Sequence, residues 1–177
     1  MKNKEIIVVG IALVIVSFLL DNFVLSSIAQ IQYGPIGLLF LILGNAAIML
    51  SVLFLLPVIL LKKKRKSFIL FLSLFFSSLI GFALKLIIMR PRPFSVMVVP
   101  LLNIVDYSFP SLHAFIAFSL AHTASKILPR YRVLWYGYAV FIAFSRIYLQ
   151  VHYFSDVVAG AFFGIIVSKL VMDEWLS

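Results

Sequence analysis

A helix that crosses a lipid bilayer needs about 20 consecutive apolar residues, because each residue adds about 1.5 Å against a hydrocarbon core about 30 Å thick. Runs of this order follow one another six times in the chain: Glu5 to about Ser26, Ile36 to Leu61, Ser67 to Met89, Ser111 to Leu128, Val133 to about Val151, and Asp156 to Met172. Their apolar residues lie all round the helix instead of in one stripe, the pattern of helices that meet lipid or each other. With 64% hydrophobic and 12% charged residues, the chain cannot clothe a water-exposed surface. The expected architecture is therefore all-α: a single membrane domain over residues 1–177, built as a six-transmembrane-helix bundle.

The net charge of +9 would raise nucleic-acid binding in a soluble protein, but in a membrane protein it reports orientation. Alternating the sides places eleven basic residues together: Lys2, Lys4, Lys62, Lys63, Lys64, Arg65, Lys66, Lys126, Arg130, Arg132 and Lys169. The other side receives only Lys85, Arg90, Arg92 and Arg146. The positive-inside rule then puts both termini in the cytoplasm of a cell-membrane protein, with no nucleic-acid partner expected. The first run also imitates a secretory signal, through Lys2, Lys4, Ile6 to Leu20 and Ser27-Ile28-Ala29, but Asp21 and Asn22 interrupt it, and a retained helix is expected.

Four basic residues on the outer side break the pattern. For any one of them, snorkelling to lipid phosphates is sufficient reason, and Arg90 is read as an interface anchor. Three segments that deliver polar residues to the same level ask for more. Lys85 and Arg92 are fixed cations suited to an anionic headgroup, and Pro91 and Pro93 should break the third helix just past Lys85. Phe109-Pro110-Ser111-Leu112-His113 opens the fourth helix, where free N–H groups favour an anion; Ser111 reads equally as an N-cap or a phosphate contact. In the third segment, after Ser145 and Arg146, His152 and Asp156 stand i,i+4. On one helical face the carboxylate would fix one imidazole nitrogen and leave the other as nucleophile or base; a purely structural pair is the alternative. His122 is expected to make an interhelical hydrogen bond, and the apolar stretch Met97 to Val105 to lie against the membrane surface.

Taken together, Lys85…Arg92-Pro93, Pro110-Ser111-Leu112-His113 and Ser145-Arg146…His152…Asp156 resemble the three signature motifs of the type 2 phosphatidic acid phosphatase family in order and internal spacing. The resemblance runs from Lys85 to Asp156, and the six apolar runs resemble the membrane lipid phosphatases of that family, not its soluble vanadium haloperoxidases. It implies that His152 attacks phosphorus with Asp156 behind it, giving a phosphohistidine. It further implies that His113 protonates the leaving oxygen and then activates water, while Lys85, Arg92, Arg146, Ser111 and the Leu112 N–H hold the phosphate oxygens. Leu112 stands where the family usually has glycine, and an altered fit is expected there.

The implied scheme needs no metal and no cofactor. Without cysteine, the chain has no disulfide, thiolate metal site or cysteine nucleophile. The partners expected are the bilayer and a lipid phosphate, with polyprenyl diphosphate preferred over phosphatidylglycerol phosphate and phosphatidic acid. A lipid phosphotransferase would use the same residues. A transporter for an anion or phospholipid would place charge lower in the bundle than the outer rim.

Overall fold

The computed structural model describes residues 3–31, 35–61, 63–93, 97–99 and 104–176. Lys2 and Lys62 of the charge count, and Asn103 with the centre of the expected surface stretch, lie outside the described residues. The long elements are all helices: α1 (Asn3–Ala29), α2 (Pro35–Leu43), α3 (Ala46–Leu61), α4 (Lys64–Ile88), α5 (Leu112–Ile127), α6 (Arg132–Tyr148) and α7 (Phe154–Leu176). One short antiparallel pair qualifies the all-α expectation: β1 (Met97–Val99) against β2 (Ile104–Asp106), with Val98 opposite Val105.

Helix ends follow local chemistry. The third run stops at Ile88, where Met89 takes a left-handed conformation and its N–H returns to Lys85 O at 3.0 Å, just ahead of the two prolines. The second run was expected to be continuous, but it breaks at Gly44-Asn45 with a bend of 54°. Asn45 starts the second half as a side-chain cap, accepting the Ala47 N–H at 2.8 Å. A π-helical turn at Ser51–Leu55 follows.

Among the described residues three helices, α1, α4 and α7, are long and apolar enough to cross a membrane, or four spans if the bent α2–α3 pair counts as one. The architecture is that of a multi-pass membrane protein, and the expected runs Ser111 to Leu128 and Val133 to about Val151 form α5 and α6, of 16 and 17 residues, hence about 24–26 Å long. α5 is an interior helix, whereas α6 buries one face and exposes Val133, Leu134, Val140 and Phe144 on the other. Ala114, Ala117, Leu120, Ala121 and Ala124 of α5 are fully buried, and the small residues let α4, α6 and α7 approach closely. A hydroxyl seam ties α4, α5 and α7: Thr123 shares hydrogen bonds with Ser73 (2.8 Å) and Ser168 (2.7 Å), and Ser77 donates to Ser119 (3.0 Å). His122 reaches Tyr136 OH at 2.6 Å, the interhelical bond the sequence suggested. On the outside, α1 exposes apolar residues such as Leu19 and Phe23, as a lipid-facing helix does.

Candidate active site

A cavity of about 510 Å³ opens where α4 and α6 end and α5 begins, with the turn before α7 at its side. Lys85, Arg92, Leu112, His113, Arg146 and His152 line it, so all three polar segments meet at one place. Leu149 and Val151 line it too, and Leu41, Asn45, Ala46 and Phe82 complete the wall, which adds the α2–α3 break to the site.

Each cation is held by its own neighbourhood. Lys85 lies in the last turn of α4, only 4% exposed, and its Nζ donates to Tyr107 O. Arg92, just beyond the helix, donates through Nη1 to Val151 O at 2.5 Å, and the same nitrogen lies 3.4 Å from His152 Nε2. Arg146, in the last turn of α6, donates from Nε to Ser145 Oγ at 3.1 Å. Gly44 lets α2 come this close: a Cβ there would collide with the Arg146 guanidinium and stand 2.7 Å from Ser145 Oγ.

Ser111 is the N-cap of α5 by position, yet its hydroxyl makes no cap bond; Oγ is buried without a hydrogen-bond partner. Its N–H donates to Asp156 O at 3.0 Å, which locks the second segment to the third. Leu112 has ordinary helical backbone, and its side chain occupies the space beside Gly81, where a Cβ would come within 2.7 Å of Leu112 Cδ1. The bulk that replaces glycine in the motif is thus taken up by a glycine on α4.

His152 and Asp156 are paired, but not on one helical face as expected. The chain turns through Gln150 at φ 55°, and α7 starts only at Phe154, so His152 precedes the helix. Asp156 reaches back as a cap, accepting the Tyr153 N–H at 2.8 Å on Oδ2. Oδ2 also accepts from Ser108 Oγ and faces His152 Nδ1 at 3.5 Å. That geometry orients Nδ1 toward the carboxylate and leaves Nε2 toward Arg92 and the cavity. Burial pushes the His152 pKa down to about 4 against the pull of Asp156, with Arg92 lowering it further, so the imidazole is neutral at neutral pH.

Two residues of this neighbourhood escaped the sequence reading. Arg90 is no mere interface anchor: it bridges Asp156 Oδ1 and Asp21 Oδ2, each at 2.7 Å. Asp21, read only as an interruption of a signal-like run, is 5% exposed and belongs to this network. A carboxylate within an apolar run was the available signal, since such a group is held there only with a partner. Among the described residues no three His, Asp or Glu side chains cluster as a metal site would require.

Known proteins share this fold. The fold is similar to the phosphatidylglycerolphosphate phosphatase of Bacillus subtilis, with TM-score 0.74 and 22% identity over 99% of this chain and 98% of that one. It is also similar to Aquifex aeolicus LpxE, with TM-score 0.69 and 24% identity over 87% and 95%. In sequence, 102 residues are 32% identical to a lipid A 1-phosphatase of Rhizobium johnstonii, 54% of this chain and 42% of that protein. A 63-residue stretch is 43% identical to the catalytic subunit of inositol phosphorylceramide synthase of Schizosaccharomyces pombe, 36% of this chain and 15% of that protein. The chain therefore spans under half of the first of these curated relatives and a small part of the second. The family model described as the PAP2 superfamily matches residues 66–174, well over half of the sequence and all three motif segments, and the chain belongs to that superfamily.

Proposed function

We propose that the protein is an outward-facing membrane phosphatase that removes a phosphate from a lipid phosphate or diphosphate through a phosphohistidine at His152. The observation that carries this reading is the placement of His152: Nε2 faces a cavity lined by Lys85, Arg92 and Arg146, while Nδ1 faces a buried carboxylate. The Nε2 lone pair attacks phosphorus as the P–O bond to the lipid breaks, and His113 gives its proton to the departing oxygen. Asp156 stabilises the imidazolium so formed. His113 then takes a proton from water, whose oxygen attacks phosphorus; the P–N bond breaks, and phosphate leaves a neutral His152. Lys85, Arg92, Arg146, the Ser111 hydroxyl and the Leu112 N–H hold the transferred oxygens throughout. The scheme uses no metal ion.

Three cations around one cavity favour a highly charged headgroup, so polyprenyl diphosphate is our first choice, ahead of phosphatidylglycerol phosphate and phosphatidic acid. We infer six membrane crossings with both termini cytoplasmic, α5 and α6 being short crossings, from the charge asymmetry of the sequence. Similarity to the ceramide-modifying synthase supports a second reading, in which a lipid hydroxyl replaces water as phosphate acceptor.

The test is a panel of these lipids with purified protein in detergent, with chelator present, following free phosphate and labelled lipid products. Phosphate release that His152→Ala abolishes, together with an acid-labile phosphoenzyme lost in the same variant, is the expected result. Full turnover by His152→Ala overturns the nucleophile; label appearing in a lipid hydroxyl instead of free phosphate selects the transferase.

A further inference from the structure

The carboxylate behind His152 is not alone. Asp156 is completely buried, and its Oδ1 is held by Arg90 Nη1 at 2.7 Å. If nothing else were present, this bridge would leave a neutral pair, a poor stabiliser of a cation on His152. The other nitrogen of the same guanidinium, Nη2, is held by Asp21 Oδ2 at 2.7 Å. Asp21 also accepts from Ser155 twice, the N–H at 2.8 Å on Oδ1 and the hydroxyl at 2.6 Å on Oδ2. Ser155 Oγ in turn lies 2.7 Å from Arg90 Nη1. Two carboxylates thus share one guanidinium, and the group keeps one net negative charge with His152 at its edge.

The guanidinium is also covered on its faces. The Arg90 guanidinium stacks over the Tyr153 ring at 3.9 Å and over Phe18 at 5.0 Å, and Phe18 stacks on Phe109 at 5.7 Å. Asp21 and Phe18 come from α1, which lies outside the 66–174 segment matched by the family model. Packing of α1 on α7 therefore places a charge beside the base of the site.

From these distances we infer that Asp21 and Arg90 are positioning residues for the proposed reaction: Asp21 takes up half of the Arg90 charge, so that Asp156 stays free to stabilise an imidazolium on His152. The inference rests on the phosphohistidine reading above. It makes the first helix a working part of the site and not only an anchor. Neither residue lines the cavity, so the effect falls on the chemical step and not on lipid binding.

Three variants test it, with wild type and His152→Ala run alongside in the phosphate-release assay. Asp21→Asn keeps an oxygen for the Ser155 N–H and removes one charge. Its kcat should fall on the order of 10- to 100-fold, the usual weight of a residue that holds another residue's partner, while KM stays within about twofold. Arg90→Gln leaves two buried carboxylates without their shared cation and should be the more damaged protein. Adding Asp21→Asn to Arg90→Gln restores a single negative charge on Asp156, so the double variant should turn over faster than Arg90→Gln alone. A substitution that harms the wild type and helps the single variant is not what loss of packing produces.

Wild-type kcat in Asp21→Asn, a change confined to KM, or a double variant no faster than Arg90→Gln overturns the inference. Should Asp21→Asn fail to fold in detergent, the comparison of Arg90→Gln with the double variant decides alone. Turnover by His152→Ala would instead overturn the reading on which the inference stands.

Discussion

Gly44 offers a test of the site that touches none of its chemical groups. Its φ is not positive, so the residue is required by proximity and not by backbone conformation. A methyl at its Cβ position would stand 2.7 Å from Ser145 Oγ and nearer still to both an Arg146 guanidinium nitrogen and Phe40 O of α2 itself. Ordinary contact begins at about 3.5 Å, so in Gly44→Ala the end of α2 must give at Phe40, and the hydroxyl and the guanidinium must retreat by about 1 Å. Ser145 Oγ is itself fixed to Ile142 O at 2.7 Å and supports Arg146 Nε at 3.1 Å, so the two move together.

A displacement of about 1 Å in a group that clamps a reacting phosphate costs about 100-fold in rate, which corresponds to about 2.7 kcal/mol of transition-state stabilisation. The expected result for Gly44→Ala is therefore a fall of about 100-fold in kcat/KM for lipid phosphate. Gly137→Ala on α6 is the matched control, since nothing lies within 4 Å of its Cβ position, and it should keep wild-type turnover. Both proteins are first compared by elution profile and thermal unfolding in detergent. Wild-type kcat/KM in a folded Gly44→Ala would show that Arg146 is not held where the transferred phosphate passes.

Ser111→Ala removes a buried hydroxyl that has no partner, so thermal stability should hold within about 0.5 kcal/mol while kcat/KM falls about tenfold or more if that hydroxyl holds phosphate; equal loss of stability and activity would return Ser111 to a structural role. His152 should remain neutral down to a pKa of about 4, read by ¹⁵N-histidine NMR with His113 and His122 variants for assignment. A His152 titration near its ordinary value refutes the burial argument. The sign for stability follows: the unfolded chain binds this proton near pH 6.5 and the folded one only near 4. Stability from this group is therefore full above the first value and declines as pH falls between the two.

What the sequence disclosed and what it hid divide along physical lines. Lys85, Arg92, His113, Arg146 and His152 stand at the ends of apolar runs, where charge is out of place, and their segment spacing carried the resemblance; they line one cavity. The Gly44-Asn45 break lacked such a signal. Glycine and asparagine inside an apolar run are compatible with a continuous helix, and it is the close approach of Phe40 O, Ser145 and Arg146, the last about 100 residues on, that makes the glycine necessary. Arg90 and Asp21 were hidden for the opposite reason: each had a sufficient local explanation, and their connection spans 69 residues. The bounds of α5 and α6 were legible, within one to three residues at each end, because Pro110-Ser111 and Pro129 punctuate the apolar runs.

A pocket holding Lys85, Arg92 and Arg146 in a largely apolar bundle raises the question of how those charges are tolerated before a phosphate arrives. The structure answers with backbone oxygens: Tyr107 O accepts from Lys85, and Val151 O accepts from Arg92. Both carbonyls belong to irregular segments beside the cavity, where main-chain oxygens are not used by a helix. A carbonyl is a weaker partner than phosphate, so exchanging one for the other favours anion binding while leaving the cation nearly in place. The opposite arrangement lies behind His152, where Asp156 is held by Ser108, Tyr153 and Arg90, faces His152 Nδ1 and does not line the cavity. In the proposed reaction, charge that arrives on the phosphate side meets cations already oriented, and charge that appears on the imidazole meets a carboxylate already buried. Neither side has to reorganise as the P–N bond forms, which is the condition under which electrostatic stabilisation acts on the transition state.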